Sequence, residues 1–82
     1  MFKRESFAIA DIYVPTKRRT TLRPDVVQKI ATSMLEIGQE TPILVRRDGQ
    51  RFVLVEGLHR LEACKALGET TIIGYVVQAR KH

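Results

Sequence analysis

Residues 55–68 read VEGLHRLEACKALG. The β-branched run that ends at Val55 breaks at Gly57, and a helix follows from about Leu58 to Leu67, with Gly68 closing it. A strand that passes into a helix through a glycine leaves the helix's first N–H groups free beside the turn. The remaining chain is organised around this junction.

Upstream, ILVRRDGQRFVLV (residues 43–55) sets two β-rich runs around Asp48-Gly49, a pair that readily supplies the two positive φ angles of a tight hairpin. Phe52 to Val55 is continuously apolar, which predicts an interior strand. Arg46, Arg47 and Arg51 flank the hairpin and read as protection of an edge strand. Earlier, Pro24 suits a first helical position, Asp25 the positive end of the dipole, and Gly38 the residue after the last turn. At about 100° per residue, Val26, Val27, Ile30, Ala31, Met34, Leu35 and Ile37 share one half of that helix. Such a stripe predicts a helix lying on a sheet, with Met34 as core filler. FAIADIYV (residues 7–14) stops at Pro15 as a first strand, PTKRRTTLR (15–23) is a basic loop, and TTIIGYVVQ (70–78) is a last strand. The order is β-α-β-β-α-β, an α+β domain with two helices packed on a small mixed sheet, one unit over residues 1–82.

A chain of 82 residues supports one modest core, and 44% hydrophobic with 28% charged residues excludes the disordered and collagen-like classes. No apolar run approaches the ~18 residues of a membrane span, and the N-terminus lacks the pattern of a signal peptide, so the expected compartment is the cytoplasm. One cysteine, Cys64, forms no internal disulfide, and His59 and His82 are the only histidines, so no structural metal site is expected. The formal charge of +5 suits a polyanion or a phosphorylated ligand, and equally a merely soluble surface.

Arg60 poses the functional question. On the second helix it lies within about 60° of Cys64, Leu67 and Ala63, while Glu62 and Lys65 fall on the far side. A guanidinium on the inward side needs an anion, because a buried unpaired charge costs several kcal/mol. Two readings stay open here: an internal carboxylate, Glu56 or Asp11, or a bound ligand. The helix start, with its free N–H groups and dipole, favours an anion; Gly57 lets one approach the backbone, Arg60 can fork onto its oxygens, and His59 is a third donor. The opposing reading makes Gly57 a plain turn and His59 a surface cap.

The chain resembles the ParB/sulfiredoxin superfamily, and within it the N-terminal ParB-like domain of plasmid and chromosome partition proteins. The residues that carry the resemblance are IADIYVP (9–15), KRR (17–19) before a helix, GQETPILVRRDGQRFVLVEG (38–57) and GLHRLEACKALGETTI (57–72). It implies a ParB/sulfiredoxin-like fold in which Gly57, Leu58, His59 and Arg60 line a nucleotide-phosphate pocket. Thr41, Pro42 and Ile43 would lie near the other end of the nucleotide, CTP or ATP with Mg2+. Partition proteins place Gly-Glu-Arg-Arg at this turn and sulfiredoxins Gly-Cys-His-Arg; here it is Gly57-Leu58-His59-Arg60. Leu58 therefore removes the sulfiredoxin nucleophile. Cys64, about 9 Å further along the helix, does not replace it. Leu58 also stands where partition proteins carry glutamate, and the Glu-Asn-aliphatic-Arg motif and helix-turn-helix of those proteins do not occur in these residues, which implies an incomplete triphosphate and metal site. Glu56 resembles the acid before the glycine in free-serine kinases, a candidate base or Mg2+ ligand whose alternative is a pairing with Arg60.

Lys17, Arg18, Arg19 and Arg23 are candidates for nucleic-acid backbone or a nucleotide's outer phosphates, against a solvated loop. No recognition helix is left over to read bases, so any DNA contact is expected to be weak and non-specific. The expected function is a nucleotide- or phosphate-binding regulatory module linked to partition or transcription regulation. An enzyme of the same fold, a phosphoryl transferase, nucleotidase or nuclease, is the rival. An adaptor or antagonist, using the fold only to bind a protein partner, is the third reading.

Overall fold

The computed structural model describes residues 3–39 and 41–78; His82 and the remaining end of the expected 1–82 unit lie outside them. Five strands form one mixed sheet: β1 (Glu5–Ala8), β2 (Ile12–Tyr13), β3 (Ile43–Asp48), β4 (Arg51–Glu56) and β5 (Thr71–Val76). The helices are a short α1 (Thr16–Arg19), α2 (Pro24–Ile37) and α3 (Leu58–Ala66). The expected α+β class with a mixed sheet is what the chain forms.

The opening strand is the main difference. Instead of one strand over residues 7–14, a 3-10 turn at Ile9–Asp11 divides it into β1 and β2. The sheet order is β1-β5-β3-β4-β2, so these two short strands occupy opposite edges. In a flat sheet those edges would stand roughly 19 Å apart at ~4.8 Å per strand. A three-residue 3-10 turn spans only about 6 Å. The sheet must curl until its edges nearly meet, and Phe7 on β1 meets Phe52 on β4 edge to face, ring centroids 4.9 Å apart. Phe7, Ile9, Ile12, Val14, Ile43, Val45, Leu54 and Ile72 fill the inside of the curl, and Leu58, Leu61 and Cys64 of α3 close it.

The hairpin turns one residue later than Asp48-Gly49. Asp48 pairs with Arg51, leaving Gly49-Gln50 as the loop, with only Gly49 at positive φ (+64°), as suits a type II′ turn. β4 lies between β3 and β2, an interior strand as its apolar run predicts. The edge-protection reading of the arginines is corrected by the same order, because β3 is also interior and the edges are β1 and β2. Arg47 stacks over Phe52 at 5.3 Å from the ring centre, and Arg51 over Tyr13 at 4.3 Å while pairing with Asp48 at 3.1 Å.

α2 packs chiefly against α3, which in turn lies on β3 and β5. Its stripe is narrower than the wheel suggests. Ala31 is buried and Met34 packs on the core, whereas Leu35 and Ile37 are 74% and 60% exposed. A helix resting on another helix buries a narrower face than one lying on a sheet. The loop at residues 15–23 contains the helical turn α1, with Lys17, Arg18 and Arg19 all exposed. Among the described residues, no helix is long and apolar enough to cross a membrane.

Candidate functional site

The junction between β4 and α3 is fixed from both sides. Gly57 adopts φ +114°, and a Cβ there would stand 2.5 Å from Ile43 Cγ2 and 2.9 Å from Ile43 Cβ. Glycine is thus required by close packing on β3 as well as by backbone conformation. Leu58 follows, 7% exposed, and anchors the first turn of α3 in the core. Leu61 N–H donates to the Gly57 carbonyl at 2.9 Å, the first helical bond, so the N–H groups of Leu58, His59 and Arg60 have no partner within the helix.

Arg60 is half-buried and lines a cavity of about 50 Å³ together with Ile30, Ser33, Met34, Gly38, Gln39 and Thr41. Among the described residues the ion pairs are Arg23–Asp25, Asp48–Arg51 and Glu62–Lys65. Neither Glu56 nor Asp11 pairs with Arg60. The inward lean read from the wheel holds, and the guanidinium has no internal acidic mate among those residues.

His59 points elsewhere. Its Nε2 accepts a hydrogen bond from the main-chain N–H of Arg23 at 3.0 Å, tying α3 to the residue that precedes α2. That nitrogen is therefore an acceptor, and only Nδ1 is left to donate to an anion. Thr41 shares the cavity with Arg60; Pro42 is half-buried beside it. Ile43 is fully buried, so it and Leu58 can offer a ligand main chain only. Glu56 is exposed at the end of β4 and forms no ion pair among the described residues. Lys17, Arg18 and Arg19 are also without one among the described residues, and Arg23 pairs with Asp25 at 3.4 Å.

Sequence reasoning missed Ser33 and Gln39. Ser33 sits on the polar half of α2 and Gln39 in the connection to β3, and no periodic pattern singles out either. Cys64 is buried, with its thiol pKa pushed up first by desolvation and then by Glu69. That environment suits a small core hydrophobe and opposes a reactive thiolate. No group of three His, Cys, Asp or Glu among the described residues could hold a metal. Mg2+ commonly takes one or two carboxylates plus ligand phosphates, and Glu56, directly before Gly57, is a carboxylate of that kind.

The curled sheet closed by α3 places the chain in a fold class shared with sulfiredoxin and chromosome-partitioning proteins. Sulfiredoxin from Arabidopsis thaliana superposes with a TM-score of 0.84 at 25% identity, covering 94% of this chain and 86% of that one. The C-terminally truncated chromosome-partitioning protein ParB from Caulobacter crescentus, complexed with CTP-γ-S, superposes at 0.82 with 24% identity, covering 96% of this chain and 46% of that one. The profile of the ParB N-terminal domain matches residues 5–82, and the chain belongs to that family. A probable chromosome-partitioning protein ParB from Campylobacter jejuni is 32% identical over 62 residues, 76% of this chain. The matched stretch spans only about a fifth, 22%, of that relative.

Proposed function

We propose that this domain is a nucleotide-phosphate-binding regulatory module of the partition type, holding phosphate at the Gly57 turn. The observation that carries the reading is Arg60, a half-buried guanidinium with no carboxylate partner among the described residues. It rises from a helix start whose first N–H groups have no main-chain partner among the described residues. A neighbour of the same fold is complexed with CTP-γ-S, and a mutant free serine kinase of this fold with AMP, which supports a nucleotide as the ligand. Gly57 and Arg60 would hold phosphate, His59 would donate through Nδ1, Thr41 would adjoin, and Glu56 would offer a carboxylate to Mg2+. A thiol-based sulfiredoxin reaction does not fit, because the apolar Leu58 stands at the nucleophile's position with its side chain in the core.

Lys17, Arg18 and Arg19, exposed on α1, would add a weak contact to DNA backbone or to outer phosphates, lost as salt rises. A second reading, phosphoryl transfer, is favoured by one observation, the exposed Glu56 carboxylate beside the turn, which has no ion pair among the described residues. One experiment separates the two: titrate CTP and ATP with Mg2+ while following amide shifts, and assay phosphate release. Saturable shifts centred on Gly57 to Arg60 without release support the module; release abolished by Glu56→Gln supports the enzyme; uniform silence removes both.

A further inference from the structure

The connection from α2 to β3 holds a carboxamide that the phosphate reading does not use. Pairing of β3 with β5 begins at Ile43 opposite Gly74. The ladder stops there, so the Ile73 N–H, which faces the β3 side, finds no main-chain acceptor on that strand. Gln39 substitutes for the missing strand. Its Oε1 accepts from Ile73 N–H at 2.9 Å, while Nε2 donates to the Ile73 carbonyl at 2.8 Å and to the Thr41 carbonyl at 3.0 Å. Both amide hydrogens are committed, so Gln39 retains no donor for a ligand.

The same three bonds shape one wall of the Arg60 cavity, since Gly38, Gln39 and Thr41 all line it. Its volume of about 50 Å³ exceeds the ~10–15 Å³ that one water needs and falls far below the ~300 Å³ at which pockets enclose a whole drug-sized ligand. The hydroxyls of Ser33 and Thr41, like the Arg60 guanidinium, have no partner among the described residues. Among the described residues the cavity thus gathers three whose donors are uncommitted, Ser33, Thr41 and Arg60, with no carboxylate, and it has room for a single small group.

We infer that Gln39 is the positioning residue of a seat for one tetrahedral oxyanion, a terminal phosphoryl group, with the remainder of its carrier lying outside the cavity. This rests on the phosphate reading of the Gly57 turn. Gln39 acts through the wall it braces and does not touch the ligand.

Gln39→Glu and Gln39→Met test it, with inorganic phosphate, inorganic sulfate and CTP as probes in amide-shift titrations, and thermal melting run in parallel. The introduced glutamate would still accept from Ile73 N–H, but it would lose both donations and put a carboxylate into the wall facing Arg60. Phosphate and sulfate affinity should fall at least tenfold at pH 7 in Gln39→Glu and several-fold in Gln39→Met. The sulfate deficit of Gln39→Glu should narrow as pH falls toward ~4.3, where the new carboxyl protonates, a response that loss of folding alone would not produce. Wild-type affinity in a folded Gln39→Glu overturns the Gln39 role and leaves the phosphate reading standing. Absence of wild-type shifts at Ser33, Thr41 and Arg60 with every probe overturns both.

Discussion

Arg60→Met should separate ligand binding from stability. Methionine keeps an apolar stem of similar reach over the cavity and removes the charge. Because no carboxylate pairs with Arg60 among the described residues, nothing is orphaned by its loss. Breaking a buried ion pair would cost about 3–5 kcal/mol, which in a domain of this size lowers the melting temperature by at least ~12 °C. An unpaired, half-buried guanidinium predicts the opposite: a change within about 0.5 kcal/mol, or a modest gain. Phosphate affinity should fall sharply. Charge-assisted hydrogen bonds contribute about 1.5–3 kcal/mol each, so loss of even one predicts roughly a tenfold to 150-fold weaker complex. Calorimetric melting and isothermal titration with CTP supply the two measurements. An Arg60→Met protein that melts more than about 12 °C lower while binding CTP as before would refute the reasoning, since Arg60 would then be an internal strut.

Gly57→Ala should destabilise the fold by about 2–4 kcal/mol, from positive φ together with the 2.5 Å approach to Ile43 Cγ2, as read by urea midpoint. Leu58→Ala should cost about 2–5 kcal/mol as a core truncation, and unchanged stability would contradict its burial. His59→Ala removes the acceptor for Arg23 N–H, so exchange of the Arg23 amide should accelerate while distant strands keep their protection. Cys64 should resist alkylation in the native protein and react on denaturation. Its folded pKa is raised above the ordinary thiol value of 9.0, so the stability it contributes is fully present below about that pH and declines as pH rises through the folded value. Cys64→Ala should flatten that alkaline decline in a denaturant series.

Much of the local structure is legible in residue order. Pro24, Asp25 and Gly38 bracket α2, and the apolar run at Phe52–Val55 marks β4 as interior. The Gly57 junction and the inward side of α3 also follow from spacing alone, because glycine placement and the helical period are local properties. The division of residues 7–14 into β1 and β2 was not legible. Ala10 and Asp11 are weak strand formers, but nothing local assigns the two halves to opposite edges; pairing with strands 40 residues away for β2 (Ile12 to Phe52) and up to 69 for β1 (Glu5 to Gly74) does. The hairpin slipped by one residue for a related reason, since register with β4 selects which pair turns.

For the site, the sequence by itself determined the donors: a glycine, a helix start and an inward arginine, each following from backbone conformation and periodicity. Only tertiary structure decided what surrounds them. It turned His59 toward Arg23, left Glu56 without an ion pair among the described residues, and brought Ser33 and Thr41 around Arg60. It also set Gln39 against Ile73, across 34 residues of chain. The physical reason is that a side chain's partner depends on which distant elements the curled sheet brings within hydrogen-bond reach, and no local pattern encodes that distance.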